Sequence, residues 1–271
     1  MRADPDELLP DRVVLAIPHM DDGVLACGGT LAQLTDPGRV HVVYASDGRA
    51  SPEPLIASRD RVTHDLFEVR RAEAIAAMGR LGVAPQQLHF LALPDRQLRD
   101  HVPALRSQLA ALLERVGAQR LLAPFRYDQN PDHLALHAAA RSCGAPSLIE
   151  YFVYYRLRLL PGGDLRSYLR PELSREVDIS AASQTKREAL ACFESQTTRF
   201  YAWQTRPNLT PELLDEVCAT PEVFVCDAPP GGRVFARGAA RIRLLHRLEP
   251  TLKRPKDRAL ALLRRGLGPR D

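Results

Sequence analysis

Two short stretches of this chain gather side chains that ligate metals and move protons. The first is Pro18-His19-Met20-Asp21-Asp22, directly after the apolar run Arg12 to Ile17 (RVVLAI). The second is Asp128-Gln129-Asn130-Pro131-Asp132-His133, just after Arg120 to Pro124 (RLLAP), with His137 four residues further on. Imidazole and carboxylate suit zinc, and a catalytic zinc site keeps one position for water. One His and one Asp from the first stretch plus one His from the second would make such a set. Adjacent carboxylates can divide the labour, one neutralising the metal and its neighbour taking a proton from water. Two adjacent Asp alone also suit a simpler role, capping a helix that begins at Gly23, whose N-terminus favours negative charge. The second stretch, arriving at another strand end, favours the metal.

The elements around these stretches alternate. Arg12 to Ile17, Val40 to Ala45, Leu88 to Leu93 and Arg120 to Pro124 have the length and β-branched or apolar content of buried strands. Helices are expected over Val24 to Leu34, Val69 to Leu81 (stopped by Gly82), Val102 to Val116 (stopped by Gly117) and Leu134 to Ser142. Residues 50–66, with two prolines and several charges, read as a surface loop. Strand–helix alternation predicts an α/β, Rossmann-like, doubly wound and mainly parallel sheet with helices on both faces. Ligands in such sheets bind beyond the carboxyl ends of the strands, where both stretches fall. Beyond Pro146, Leu148 to Leu160 predicts one or two strands, Ala181 to Phe193 a helix, and residues 205–222, with three prolines, irregular chain. Pro229-Pro230-Gly231-Gly232 is the clearest break, dividing a body of residues 1–230 from a basic helical tail of 231–271.

Composition bounds the partners. The 271 residues are 45% hydrophobic and 26% charged, as in an ordinary soluble protein. The net charge of +4 is uneven: residues 233–271 hold twelve Lys or Arg against three acids, +9, leaving −5 on residues 1–232. Such a tail is a solvated helix face or a weak contact for an anionic membrane. The five scattered cysteines contain no CxxC pair, which argues against both a disulfide framework and a thiolate zinc site. No apolar run is of bilayer length, and the polar N-terminus lacks a signal-peptide core, so a cytoplasmic location is expected. A GxGxxG fingerprint is missing and the loop before Gly28-Gly29 is acidic, which speaks against nucleotides. Nucleic acid is not an expected partner.

The run PHMDDGVLACGGTLA resembles the signature of the LmbE-like/PIG-L family of N-deacetylases, and NPDHLALHAAA resembles that family's second motif. VHVVYASDG, RRAEAIAAMGRLGV, HFLALPDRQL and KREALACFESQ resemble further family segments, so the likeness runs from about Arg12 to Gln196. It implies zinc, or another divalent metal, on His19, Asp22 and His133, with Asp21 as the general base. It also implies Arg70 and Asp95 in the substrate pocket, and Asp132 as a partner that orients an imidazole. The activity implied is removal of an acyl group, acetyl above all, from an N-acetylglucosamine-type amino sugar or glycoconjugate. Two positions depart from the pattern. The usual Glu is Gly23, and the His that opens the second motif is Asn130, which can hydrogen-bond an oxyanion but cannot relay a proton. Those departures motivate an alternative, a sugar-binding module that keeps the fold with weakened or no turnover.

Other candidates read as structural. His137 is expected to be packed or solvent-facing rather than a second ligand. His41 and His89 fall in strands and are expected to be satisfied structural residues. Phe200, Tyr201 and Trp203 suit a core or interface better than a sugar platform. Gly28 and Gly29 are expected to allow close helix–sheet packing.

Overall fold

Val13–Ile17 carries five apolar side chains in a row, all buried, the pattern of a strand covered on both faces. The computed structural model describes residues 1–52, 65–156, 163–226, 228, 232–238, 240–242, 244, 245 and 248. In it this strand, β1, is joined by β2 (Val40–Ser46), β3 (Leu88–Leu93), β4 (Arg120–Pro124), β5 (Ser147–Tyr151), β6 (Ser174–Val177) and β7 (Glu222–Val225). Their order across the seven-stranded sheet is β3-β2-β1-β4-β5-β7-β6. The first five pair in parallel, and β7 pairs antiparallel with β5 and β6.

The helices are α1 (Pro5–Leu8), α2 (Asp22–Leu31), α3 (Leu66–Arg80), α4 (Val102–Val116), α5 (Pro131–Ser142), α6 (Ser183–Ala191), α7 (Glu194–Thr197) and α8 (Pro211–Ala219). They lie on both faces of the sheet, because alternate side chains of a strand point to opposite sides. Val13, Leu15 and Ile17 pack with Val24 and Leu31 of α2, Ala74 and Met78 of α3, Leu190 of α6 and Val217 of α8. Val14 and Ala16 pack with Leu105, Leu109 and Leu112 of α4 and Leu136 of α5. The fold is therefore the Rossmann-like, doubly wound α/β arrangement that the alternation predicts.

The second half differs from expectation in two places. Residues 205–222 are not irregular throughout: α8 starts at Pro211, where a proline opens a helix rather than breaking one, and Thr210 Oγ1 accepts from the Leu213 amide. The antiparallel pair β6 and β7 follows from tertiary packing. Gly28 and Gly29 also serve a different neighbour. A Cβ at Gly28 would meet the Lys186 side chain of α6 at 3.2 Å, and one at Gly29 would meet Ile179 Cγ2 at 2.4 Å, so the close approach is to α6 and the turn before it rather than to the sheet. Beside them lies a buried ion pair. Glu222 accepts from Lys186 Nζ at 2.7 Å and from the Gly29 and Thr30 amides at 2.8 and 2.7 Å, tying α2, α6 and β7 together.

Of the loop at 50–66, residues 53–64 lie outside the described residues, as do 157–162 of the expected strand region and 258–267 of the tail. The nearer part of the tail meets the body. Val234, Phe235 and Ile242 are buried with Phe125, Phe152 and Leu165. The Arg170 amide donates to the Val234 carbonyl, and the Ala236 amide to the Tyr168 carbonyl, both at 2.9 Å. All five cysteines are free thiols. Among the described residues no helix is long and apolar enough to cross a membrane.

Candidate active site

β1 and β4 are neighbours in the sheet, so the chain leaving Ile17 and the chain leaving Pro124 emerge side by side at the carboxyl edge. Pro18 ends the first strand, and its carbonyl accepts from the Ser46 amide at 3.0 Å. His19 then points its Nδ1 to within 2.9 Å of Asp22 Oδ2. α5 begins at Pro131, one turn earlier than expected, because Asn130 caps it by accepting from the Asp132 amide at 2.9 Å. That first turn carries His133, whose Nε2 lies 3.1 Å from Asp22 Oδ2 and 3.3 Å from His19 Nδ1.

Three candidate ligand atoms thus meet within 2.9–3.3 Å of one another. Ligands at tetrahedral zinc distances stand roughly 3.3 Å apart, so two imidazole nitrogens and one carboxylate oxygen fit a zinc-sized cation here. The remaining faces of both rings are held. His133 Nδ1 faces Asp128 Oδ2 at 3.0 Å. His19 Nε2 faces Asp95 Oδ1 and Asp132 Oδ2, each at 3.3 Å. These three carboxylates fix the ring tautomers that present the other nitrogens to Asp22.

The electrostatics favour positive charge between these groups. Burial alone would depress His19, but Asp22, Asp132 and Asp95 hold its pKa well above the usual imidazole value. His133 is likewise raised to about 9, the carboxylates of Asp128 and Asp22 outweighing burial. Burial works the other way on Asp22, yet His133 and His19 hold its carboxyl far below the ordinary range. Asp21 is the exception. Burial, together with the neighbouring Asp22 charge, lifts its carboxyl above the usual value in spite of the Arg70 guanidinium.

Asp21 precedes α2 but makes no side-chain cap, so the capping role is not the one this residue fills. Its Oδ1 instead accepts from Arg70 Nη2 at 2.6 Å, and Arg70 Nη1 donates to the Gly48 carbonyl at 2.9 Å. Gly48 is required twice over: its φ is +64°, and a Cβ there would sit 2.8 Å from Arg70 Nη1. Arg70 is fully buried within α3. Asp95 is brought in by a register shift between β2 and β3, with Ala92 at φ +50°, after which the Asp95 amide donates to Asp47 Oδ1 at 3.2 Å. The next residue, Arg96, sits at φ +65°, a conformation costly for a side-chain-bearing residue, and its amide donates to Asp132 Oδ2 at 2.7 Å.

All eight residues singled out from the sequence fall in this one region. A cavity of about 190 Å³ is lined by His19, Asp21, Asp22, Arg70, Asp95, Asn130 and Asp132, with Ser51, Arg96 and Tyr154 completing the wall, and His133 lies behind Asp22. Five contributors, Asp128, Tyr154, Ser51, Arg96 and Gln196, carry no individual role that the sequence alone assigns. Asp128 orients His133, and the Tyr154 ring stacks on His133 at 5.4 Å and 16°. Ser51 is held by Gln196, whose Nε2 donates to the Ser51 carbonyl at 3.1 Å. Only Asp128, inside the second ligand-rich stretch, had a local signal. The others come from elsewhere in the chain, Gln196 from α7 and the rest from loops.

The remaining expectations are settled by contacts. His137 is buried, with Nδ1 2.9 Å from the Pro124 carbonyl, and is packed rather than a ligand. His41 and His89 stack on each other in β2 and β3, ring centroids 5.6 Å apart. Tyr201 and Trp203 stack at 5.4 Å and do not line the cavity. At Gly23 a Cβ would lie 2.1 Å from Ile17 Cδ1, so Ile17 fills the space that the usual Glu would need at its base.

The family description "PIG-L: GlcNAc-PI de-N-acetylase" matches residues 14–143. A relative from Bacillus cereus, "Probable N-acetyl-alpha-D-glucosaminyl L-malate deacetylase 2", is 29% identical over 135 residues, 47% of this chain and 58% of that protein's length. The "2'-N-acetylparomamine deacetylase" of Streptomyces fradiae is 27% identical over 223 residues, 72% of this chain and 78% of that one. In structure, the N,N'-diacetylchitobiose deacetylase of Pyrococcus horikoshii superposes with a TM-score of 0.58 at 20% identity, over 83% of this chain and 86% of that chain. Both loops that carry the candidate ligands fall inside residues 14–143, the segment that matches the PIG-L (LmbE-like) family description.

Proposed function

We propose that this protein is a metal-dependent N-deacetylase that hydrolyses the acetamide of an N-acetylglucosamine-type amino sugar or glycoconjugate. The observation that carries the reading is the convergence of His19 Nδ1, Asp22 Oδ2 and His133 Nε2, with Asp21 beside them in the same cavity. Zinc, or a cation of similar preference, held by these three would polarise the acyl oxygen and acidify a water. Asp21 takes a proton from a water whose oxygen attacks the acyl carbon, then returns it to the departing nitrogen, so one carboxylate carries the proton from water to nitrogen. Arg70 fixes one oxygen of Asp21 and leaves the other for the water. Asp95 and Asp132 on His19, and Asp128 on His133, hold the imidazoles in place. Amino-sugar deacetylases among the relatives supply the substrate class.

The test is acetate release from a panel of N-acetylated amino sugars and glycoconjugates, with and without added zinc. Zinc-dependent acetate release by wild type and none by His133→Ala is the expected outcome. Tight sugar binding without acetate release would replace this reading with that of a binding module.

A further inference from the structure

The attacked carbonyl oxygen needs a donor as it gains negative charge, and the side chain at 130 is only half available. Asn130 Oδ1 is committed to the Asp132 amide as the cap of α5. The other donor side chains lining the cavity are each tied to a protein acceptor, though Arg70 Nε, itself buried, has no partner. Arg70 serves Asp21 and the Gly48 carbonyl, Ser51 Oγ donates to Gln196 Oε1 at 3.2 Å, and Arg96 Nη2 donates to the Ala50 carbonyl at 2.9 Å. The remaining lining side chains are a ligand histidine and carboxylates, which would repel an oxyanion.

Tyr154 stands apart from these. It follows β5, the strand next to β4, and its amide contacts Asp128 Oδ2 at 3.4 Å. Its ring lies nearly parallel to His133 yet remains 42% exposed, unlike the buried aromatic residues around it. A tyrosine that lines a carboxylate-rich cavity beside a ligand histidine is not there for core packing. At neutral pH its phenol carries a proton and donates one hydrogen bond.

We propose that the Tyr154 hydroxyl is the hydrogen-bond donor to the acyl oxygen in the transition state, taking over the task that Asn130 leaves incomplete. The assignment rests on the deacetylase reading. As the water oxygen bonds to the acyl carbon and its proton passes to Asp21, the carbonyl π pair moves onto oxygen, which accepts from Tyr154. The pair on oxygen then re-forms the C=O bond as the C–N bond breaks, the C–N pair stays on nitrogen with the proton from Asp21, and the carboxylic acid and amine leave, the acid's remaining proton passing to the amine to give carboxylate and ammonium. Tyr154 keeps its own proton throughout.

Tyr154→Phe preserves the stack on His133 and removes only the hydroxyl. Loss of one such donor lowers kcat by ~10²–10³-fold. KM and zinc content are expected to stay as in wild type. Affinity for a phosphonamidate analogue of the tetrahedral species should fall with kcat/KM, while affinity for the amine product should not. Adding Asn130→His to Tyr154→Phe should recover part of the lost kcat. Wild-type kcat in Tyr154→Phe, or equal weakening of analogue and product, overturns the assignment alone. A wild-type protein with no turnover on any N-acetyl amino sugar overturns the deacetylase reading and this assignment with it.

Discussion

Asp21→Asn is the most informative single change. The variant keeps the shape of the side chain and an oxygen for the Arg70 hydrogen bond, now 2.6 Å long, but cannot take a proton from water. General-base assistance is worth ~10²–10⁴-fold, so kcat should fall by that factor. Zinc content should not change, because the proposed ligand atoms belong to His19, Asp22 and His133. Stability should change in a way that only the structure foretells. Arg70 is fully buried, and losing the partner charge leaves its guanidinium with neutral acceptors only. Removing a charge partner from a hydrogen-bonded buried group costs about 1–3 kcal/mol when a neutral acceptor remains. Arg70→Met combined with Asp21→Asn should therefore be less destabilised than the sum of the two single variants. The measurements are acetate release, zinc by elemental analysis and urea unfolding of the four proteins. Full activity in Asp21→Asn would move the base elsewhere. Loss of zinc along with activity would mean that Asp21, not Asp22, completes the ligand set.

Four further outcomes can be checked. His19→Ala and His133→Ala should each abolish tight zinc binding, and a chelator should lower the melting temperature of wild type but not of these variants; zinc retained in either would dismantle the proposed centre. Lys186→Met leaves the Glu222 carboxylate buried without its cation and should cost ~3–5 kcal/mol in chemical denaturation, against under about 1 kcal/mol if the pair is inconsequential. Truncation after Gly232 strips Val234, Phe235 and Ile242 from their buried cluster, at ~1.5–3 kcal/mol each, and should lower the melting temperature sharply; unchanged stability together with loss of salt-sensitive binding to anionic vesicles would instead make the tail a membrane contact. Burial, with Arg12 and Arg115 nearby, holds His41 and His89 below the usual imidazole value, so the unfolded chain binds more protons in acid. The stability they contribute is complete above about pH 6.5 and is lost as pH falls through their folded values, and a His41→Gln, His89→Gln variant should show a flatter acid limb in thermal melts.

The local sequence determined a good deal. Five apolar residues in Val13–Ile17, the β-branched run in Val40–Ser46, and Gly117 in the left-handed conformation at φ +66° after Val102–Val116 fix their elements by burial, periodicity and cap chemistry. The two ligand-rich stretches were legible because each follows a strand and each sets imidazole and carboxylate side chains on the first turn of a helix or just before it. What only the tertiary structure decided was which of these elements touch. The strand order placing β1 beside β4 brings His19 within 3.3 Å of His133, residues 114 apart in the chain. Arg70 reaches Asp21 from α3, Gln196 holds Ser51 from α7, and Tyr154 reaches His133 from beyond β5. The glycines of α2 answer to α6, and Pro211 opens a helix that three prolines had disguised. Periods and caps are set by neighbours along the chain. The partners of a buried charge or an exposed ring are chosen by packing across the whole sheet, and no local pattern records them.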